Sequence, residues 1–113
     1  MTDQSYDRGA VVKGPDFLGP HTHRPYVCVS TDDPPFRDEE AVYVVVTTTR
    51  RSAAIPLASA DFTSGGLPRD SYVNPWVLVT IKHADMQDIE GQLAEDTVDK
   101  IAREAATHIG ALD

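Results

Sequence analysis

The sequence lacks the residue patterns from which common catalytic signatures are built. It contains one cysteine, Cys28, among 113 residues, which excludes a disulfide framework and a zinc site made of several cysteines. Cys28 alternates with two valines, a pattern typical of a small core residue rather than a nucleophile. A nucleophile elbow, a Walker loop and a dinucleotide-binding fingerprint are also missing from the sequence.

Long hydrophobic runs are missing as well. The longest apolar run covers residues 41–46, far fewer than the ~18 residues of a membrane-spanning helix. The first five residues lack the basic and apolar regions of a signal peptide. Val, Ile, Leu and Phe make up 26 of the 113 residues, just above the roughly 20% below which highly charged chains stay disordered. We therefore expect one folded, soluble, cytoplasmic domain over residues 1–113, with no membrane partner.

Basic residues are scarce, and lysine is the scarcest. The sequence has ten Lys and Arg residues and 18 Asp and Glu residues, which gives a net charge of -8. The acids are 13 Asp and 5 Glu, and the bases are 3 Lys and 7 Arg. Short acids with little lysine suit very high salt, where the screening length falls to ~3 Å. The sequence is thus typical of a halophilic protein, or of an ordinary acidic protein whose charge serves solubility. In both cases broad non-specific binding to nucleic acid is disfavoured.

The charge is unevenly distributed along the chain. Residues 1–56 hold six bases and eight acids, whereas residues 57–113 hold four bases and ten acids. An anionic ligand is therefore expected to bind to the first half. Residues 85–99 contain six acids and no base, which predicts a solvated face.

Alternating and β-branched segments predict a mainly β fold. Residues 41–49 are β-branched at nearly every position, as in a central strand that is buried on both faces. Pro56 confines the segment around it to a sheet edge or a bulge, and Asn74-Pro75 interrupts another segment. Residues 64–68 predict a turn or loop. The predicted strands cover residues 6–13, 25–30, 41–49, 52–57, 71–73 and 76–82, and their spacing favours a small closed or half-open barrel.

One amphipathic helix is predicted at the end of the chain. Its first turn contains Glu95 and Asp96, which favour a helix N-terminus, and Gly110 stands where a C-terminal cap belongs. From Leu93 onward the apolar residues recur at helical spacing, at Val98, Ile101, Ala102, Ala105, Ile109 and Leu112.

Polar side chains at strand ends are the candidates for chemistry. Arg24 precedes Pro25 at a strand start, residues 47–49 are three threonines followed by Arg50 at a strand end, and Ser71 begins another strand. A guanidinium with hydroxyl donors suits a phosphodiester and needs no metal. The alternative is a surface ion pair for Arg24 and simple β-propensity for the threonines.

Two histidines, His21 and His23, have a spacing that places both rings on one side of an extended segment. A metal site would need a third ligand whose position the sequence does not give. Loop histidines without a metal are the favoured interpretation.

Six short segments follow one another over residues 8–112 in a recognisable order. They are Gly9-Ala10-Val11-Val12, His23-Arg24-Pro25-Tyr26-Val27-Cys28-Val29-Ser30, the strand at 42–46 ending in threonines, Gly65-Gly66-Leu67-Pro68-Arg69-Asp70-Ser71-Tyr72-Val73, Thr80-Ile81 and Gly91-Gln92-Leu93. In this order they resemble the MazF/PemK (Kid-like) family of small toxins, which are ribosome-independent endoribonucleases.

This resemblance implies an SH3-like barrel with a C-terminal helix that forms a two-fold homodimer. It implies growth-inhibiting cleavage of single-stranded RNA without metal or other cofactor, by attack of the adjacent 2′-OH on phosphorus. It also implies a cognate antitoxin whose disordered tail occupies the RNA groove, and no direct action on DNA.

The resemblance assigns roles to individual residues. Arg24 matches an arginine that stabilises charge on the transferring phosphoryl group and assists proton transfer. Thr48 matches the hydroxyl residue that binds the scissile phosphate, with Thr47 or Thr49 in its place if the register slips by one. Arg50, His23, Ser71 and Trp76 are expected to contact substrate.

The sequence departs from the family where the acid-base partner is expected. Several members have an acidic residue where this chain has Trp76, and some have an arginine where it has Asn74. Trp76 either stacks on an unpaired base or belongs to the core. Asp16, His21 and His23 remain as candidate proton carriers.

Two functions therefore remain open from the sequence. One is an active, antitoxin-controlled endoribonuclease, which the retained Arg24 and Thr48 favour. The other is a binding or regulatory module that keeps the fold but has lost catalysis, which the net charge of -8 favours. We predict the active enzyme.

The acidic composition predicts how stability depends on salt. Thermal stability should rise from low salt to molar KCl, because salt screens the self-repulsion of the acids and strengthens apolar burial. Calorimetry across this range checks the expectation. A melting temperature that stays flat or falls would contradict the halophilic interpretation.

Overall fold

Seven strands and one α-helix make up the fold in the computed structural model, which describes residues 5–17 and 19–111. The strands are β1 (Ala10–Pro15), β2 (His23–Cys28), β3 (Glu40–Thr47), β4 (Ile55–Leu57), β5 (Phe62–Gly65), β6 (Ser71–Lys82) and β7 (Ile89–Leu93), and the helix is α1 (Glu95–His108). Short 3₁₀ turns occupy Ser59–Asp61 and His83–Asp85. None of the described helices has the length and hydropathy to cross a membrane.

All neighbouring strands are antiparallel and form one curled sheet in the order β4-β6-β3-β2-β1-β7-β5. The sheet is a half-barrel, which confirms the predicted mainly β class with a C-terminal helix. Strand β3 is buried on both faces as predicted, since Val44 and Val45 belong to different core clusters. The middle of the sheet is β2 rather than β3, because β7 and β5 add two strands beyond β1.

Each face of the sheet covers its own apolar cluster. One cluster is built around Tyr26 and Tyr43, whose rings meet edge to face with centroids 6.4 Å apart. The other joins Val11, Val27 and Val44 to the helix. The helix therefore closes one core, while the curl of the sheet closes the other.

Strand β6 runs without a break through the predicted interruption at Asn74-Pro75. The register with β3 shifts there, so that Val44 lies opposite Leu78 while Val45 lies opposite Asn74. A bulge of this kind accommodates a proline, which has no N–H to contribute to the ladder. The predicted break is thus a β-bulge inside one strand of 12 residues.

Strand β7 is the element that the sequence analysis missed most completely. It lies inside the acidic run at 85–99, which predicted solvent exposure. Its apolar Ile89 is 56% exposed, and one of its buried positions is Gly91, so the strand shows little alternation of apolar and polar residues in the sequence. A Cβ at Gly91 would lie 2.9 Å from both Phe62 and the Ser64 carbonyl oxygen. Glycine therefore permits the close approach of β5, which begins before the predicted loop at 64–68.

Helix α1 buries the predicted stripe at Val98, Ile101 and Ala105. Two of the other predicted members behave differently, since Leu93 ends β7 and Ile109 is 66% exposed beyond the helix. Gly110 has a φ of +83°. Beside it, the Ala111 N–H donates to the Ala106 carbonyl and the Gly110 N–H donates to that of Thr107, which is a Schellman motif and confirms the C-terminal cap. Leu112 lies outside the described residues.

The strand boundaries at the start of the chain also shift. β1 begins at Ala10 rather than at residue 6 and extends to Pro15, and β2 begins at His23 rather than at residue 25. The two strands pair directly, with Pro15 opposite His23. The edge strand around Pro56 is confirmed as β4, with Pro56 exposed.

Substitution of Ile101 tests the packing of the helix. Ile101 is fully buried, so Ile101→Ala should lower the free energy of unfolding by about 2–5 kcal/mol. Ile109→Ala removes the same atoms from an exposed position and should change it by less than about 0.5 kcal/mol. Urea denaturation of both variants checks this. Equal effects would contradict the described packing.

Candidate functional site

An open cleft of about 740 Å³ lies where the ends of β2, β3 and β6 meet the loops beside them. It gathers most of the predicted site residues at one place. Its lining includes Arg24, His23, Thr47, Thr48, Thr49, Ser71 and Trp76. A smaller hollow of about 240 Å³ adjoins it and is also lined by Arg24 and Thr48, so these two residues share two connected surfaces.

Arg24 is held by a buried acid. Its Nε lies 3.0 Å from Oδ1 of Asp16, the Arg24 side chain is 17% exposed, and the Asp16 side chain is completely buried. A partly buried ion pair of this kind restricts the guanidinium far more than a surface pair does. Asp16, one of the three candidate proton carriers, is therefore placed beside Arg24 rather than on the open surface of the cleft.

The loop between β1 and β2 is built around the same aspartate. The Gly19 N–H donates to Asp16 Oδ1 at 3.0 Å, and the Asp16 N–H donates to the Thr22 carbonyl at 3.2 Å. Next to it, the Tyr26 hydroxyl donates to the Pro15 carbonyl. Burial raises the pKa of Tyr26, which keeps the phenol protonated as a donor. These bonds fix the strand end from which Arg24 projects.

The three threonines have different tasks. Strand β3 ends at Thr47, whose hydroxyl accepts a hydrogen bond from the Thr49 N–H at 3.1 Å. This local turn is a common use of a threonine hydroxyl. Thr48 stands exposed at the tip of that turn and lines the cleft. The geometry therefore favours Thr48 over Thr47 as the hydroxyl that meets a ligand.

The arginines around the cleft are not the expected set. Arg51 and Arg69 line it, whereas Arg50 lines a separate groove beside Pro56 and Tyr72. Sequence reasoning missed the role of Arg69, because an isolated base in a Gly- and Pro-containing loop gives no periodic signal. Ser71 is buried, and its hydroxyl donates to the Arg69 carbonyl at 2.8 Å, so it secures the loop that carries Arg69.

The cleft concentrates positive charge in an acidic protein. Arg24, Arg51 and Arg69 line it, and no Asp or Glu is among the described residues of the lining. Walls of low dielectric focus such a field into the cleft. The arrangement can therefore hold an anion although the net charge of the chain is -8.

The histidines and Trp76 complete the wall. His21 and His23 are exposed, and His23 Nε2 lies 2.6 Å from Nε2 of Gln87. Among the described residues, no three His, Cys, Asp or Glu side chains are placed to hold a metal ion. Trp76 is half-buried in the cleft wall rather than in the core, with its ring edge to face with His108 and the centroids 5.5 Å apart.

Cys28 is a core residue, as predicted. It is fully buried and lies outside the cleft, with its Sγ 3.7 Å from the Tyr6 carbonyl oxygen. Burial raises the pKa of this thiol. The reactive thiolate is therefore disfavoured.

Solved structures share this architecture over nearly the whole chain. An endoribonuclease from a mycobacterial species is 25% identical, with a TM-score of 0.73, over 95% of this chain and 93% of that chain. A mycobacterial endoribonuclease in complex with its cognate antitoxin is 24% identical, with a TM-score of 0.73, over 96% of both chains. MazE–MazF from Deinococcus radiodurans is 14% identical, with a TM-score of 0.71, over 98% of this chain and 100% of that chain.

No protein-family model matches the sequence, and no curated protein is similar to it. The class of protein is therefore defined by its fold. The half-barrel with its C-terminal helix is the MazF-like fold.

Proposed function

We propose that this protein is the toxin of a toxin–antitoxin system, a metal-independent endoribonuclease that cleaves single-stranded RNA. The observation that carries the proposal is the anchored Arg24, which shares the cleft with the exposed hydroxyl of Thr48. Similarity to an endoribonuclease of the same fold supports it. Arg51 and Arg69 supply the charge that an RNA backbone requires.

The reaction is transesterification within the RNA. The 2′-oxygen attacks the adjacent phosphorus, the bond from phosphorus to the 5′-oxygen breaks, and the products are a 2′,3′-cyclic phosphate and a 5′-hydroxyl. Negative charge on the non-bridging oxygens grows in the transition state. Arg24 and Thr48 donate hydrogen bonds to these oxygens, and fixed donors of this kind act most strongly where charge develops.

Two protons move in this reaction, since the 2′-OH loses one and the leaving 5′-oxygen gains one. The Asp16 carboxylate is completely buried against Arg24 and is closed to direct exchange with a substrate. His21 and His23 line the cleft, and imidazole is the side chain that most often serves in general acid–base catalysis. We assign the proton transfers to these two histidines, with Arg24 assisting through its charge.

Replacement of Arg24 tests the catalytic assignment. Arg24→Ala should lower the rate of RNA cleavage by about 10²- to 10³-fold, because a preorganised donor to the transition state is lost. Arg50→Ala is the matched control, since it removes the same charge from the neighbouring groove. Cleavage of a fluorogenic RNA oligonucleotide is measured for both. Wild-type cleavage by Arg24→Ala, with its fold intact by circular dichroism, would contradict the assignment.

The antitoxin is proposed to act at the same cleft. A solved structure of this fold contains the cognate antitoxin of that protein, which supports a protein partner here. A disordered acidic segment would complement the three arginines of the lining, and its ordering would oppose part of the binding free energy. Such a partner inhibits by exclusion of RNA.

We also propose that the protein forms a homodimer. Val77, Leu78 and Val79 on β6 are only half-buried, and Val77 lines the cleft. A two-fold axis beside this strand would cover apolar surface and place the two Arg24 side chains along one groove. Light scattering should give twice the 12.3 kDa of the chain. A mass near that of one chain at every concentration would contradict the dimer.

The proposed setting is a cytoplasm of high salt. Of the six acids in the run at 85–99, only Glu90 is half-buried, and the other five are exposed, namely Asp85, Asp88, Glu95, Asp96 and Asp99. Acids displayed on the surface lose most of their mutual repulsion when salt screens them. The exposed acidic face therefore supports this setting.

A further inference from the structure

Asn74 is a buried polar residue in the wall of the cleft. It is 9% exposed and lines the cleft, and its Oδ1 accepts no hydrogen bond from the described residues. Buried polar atoms in folded proteins are almost always hydrogen-bonded, and an unsatisfied one calls for an explanation. Because Asn74 lines a ligand-sized cleft, rotation of its side-chain amide would present this oxygen to a donor on a bound ligand.

The β6 bulge presents Asn74 and Trp76 together. Both residues line the cleft and flank Pro75, where the register with β3 shifts between Val44 and Val45. Bulges redirect side chains and are frequent beside active sites. Asn74 pairs with Val45 in the ladder, and Trp76 lies two residues further on, in the bulge between Asn74 and Leu78.

Trp76 offers an aromatic surface in the same cleft, two residues along β6 from Asn74. It is half-buried, and its ring meets the His108 ring at an interplanar angle of 72°. This contact orients the indole without covering it completely. Aromatic rings in nucleic-acid clefts serve as platforms on which unpaired bases stack.

Resting on the proposed ribonuclease function, we propose that Asn74 and Trp76 form a subsite for one unpaired base of the RNA and that this base is adenine. Trp76 stacks on the base. The Asn74 Oδ1 accepts a hydrogen bond from the exocyclic amino group, and its amide N–H donates to the neighbouring ring nitrogen. Adenine offers this donor beside an acceptor on two of its edges and is read by asparagine in this way. As a purine it also has more surface to stack than a pyrimidine has.

Cleavage of matched oligonucleotides tests the base preference. The substrates differ only in the base at each position flanking the cleaved bond, and four proteins are compared: wild type, Asn74→Leu, Asn74→Asp and Thr80→Ala. Thr80 is exposed on the same strand and lies outside the cleft, so its variant should keep the wild-type preference for adenine at one position. In Asn74→Leu, the ratio of the cleavage rate with adenine to the rate with another base at that position should fall by about 5- to 150-fold.

Asn74→Asp should redirect the preference instead of abolishing it. A carboxylate only accepts hydrogen bonds, and guanine offers two adjacent N–H donors on its Watson–Crick edge. A shift from adenine toward guanine is a result that a purely structural role of Asn74 would not produce. Because aspartate is nearly isosteric with asparagine, this variant also tests the adenine subsite if circular dichroism shows that Asn74→Leu does not fold.

Binding is measured independently of cleavage through fluorescence. Trp76 is the only tryptophan of the chain, and oligonucleotides with a 2′-deoxy sugar at the cleaved position cannot react. Quenching should saturate at the lowest concentration with the adenine oligonucleotide, and Asn74→Leu should lose this difference. Cleavage with an unchanged base preference in both Asn74 variants overturns the subsite and leaves the ribonuclease standing. Adenine-dependent quenching without cleavage of any RNA supports the subsite and overturns the proposed activity.

Discussion

The ion pair between Arg24 and Asp16 is the constraint on which the site depends. A carboxylate that is completely buried loses its hydration, and this loss is offset only by a close cation and by N–H donors. Arg24 supplies the cation and the Gly19 backbone supplies a donor. The loop from β1 to β2 therefore folds around Asp16, and the same pair fixes the orientation of the guanidinium in the cleft. Loop structure and proposed chemistry share one interaction.

The bulge in β6 is the second constraint, and it follows from a single proline. Pro75 cannot donate to β3, so the ladder shifts register there instead of continuing evenly. The shift leaves Asn74 and Trp76 at the cleft although Val73 beside them belongs to the core. A residue that merely looks like a strand breaker in the sequence thereby shapes the wall of the proposed RNA-binding surface.

Much of this arrangement could be predicted from the sequence, for reasons that differ between residues. The continuous β-branched run of β3 and the periodic apolar stripe of α1 are local sequence signals, and the class of fold follows from them. Strand β7 gives almost no local signal, because its buried positions are Gly91 and Leu93 and the acidic run around it indicates solvent. Its place between β1 and β5 is set by pairing between distant segments, which local patterns do not report.

The residues of the candidate site also fall into those that local sequence predicts and those that long-range packing places. Arg24 and Thr48 stand at strand ends that the sequence marks, so their meeting was predictable from the resemblance. The placement of Arg51 and Arg69 at the cleft, and of Arg50 in a groove that Arg51 also lines, depends on contacts between segments far apart in the sequence. The same long-range packing sets the charge of the cleft. The chain has 18 acids and ten bases, yet three arginines and no described Asp or Glu line the cleft. Salt screens exposed acids strongly and screens charges inside a cleft less. The positive potential of the cleft is therefore retained at high salt while the repulsion from the acidic surface is weakened. An acidic chain can in this way keep a surface that suits a polyanion.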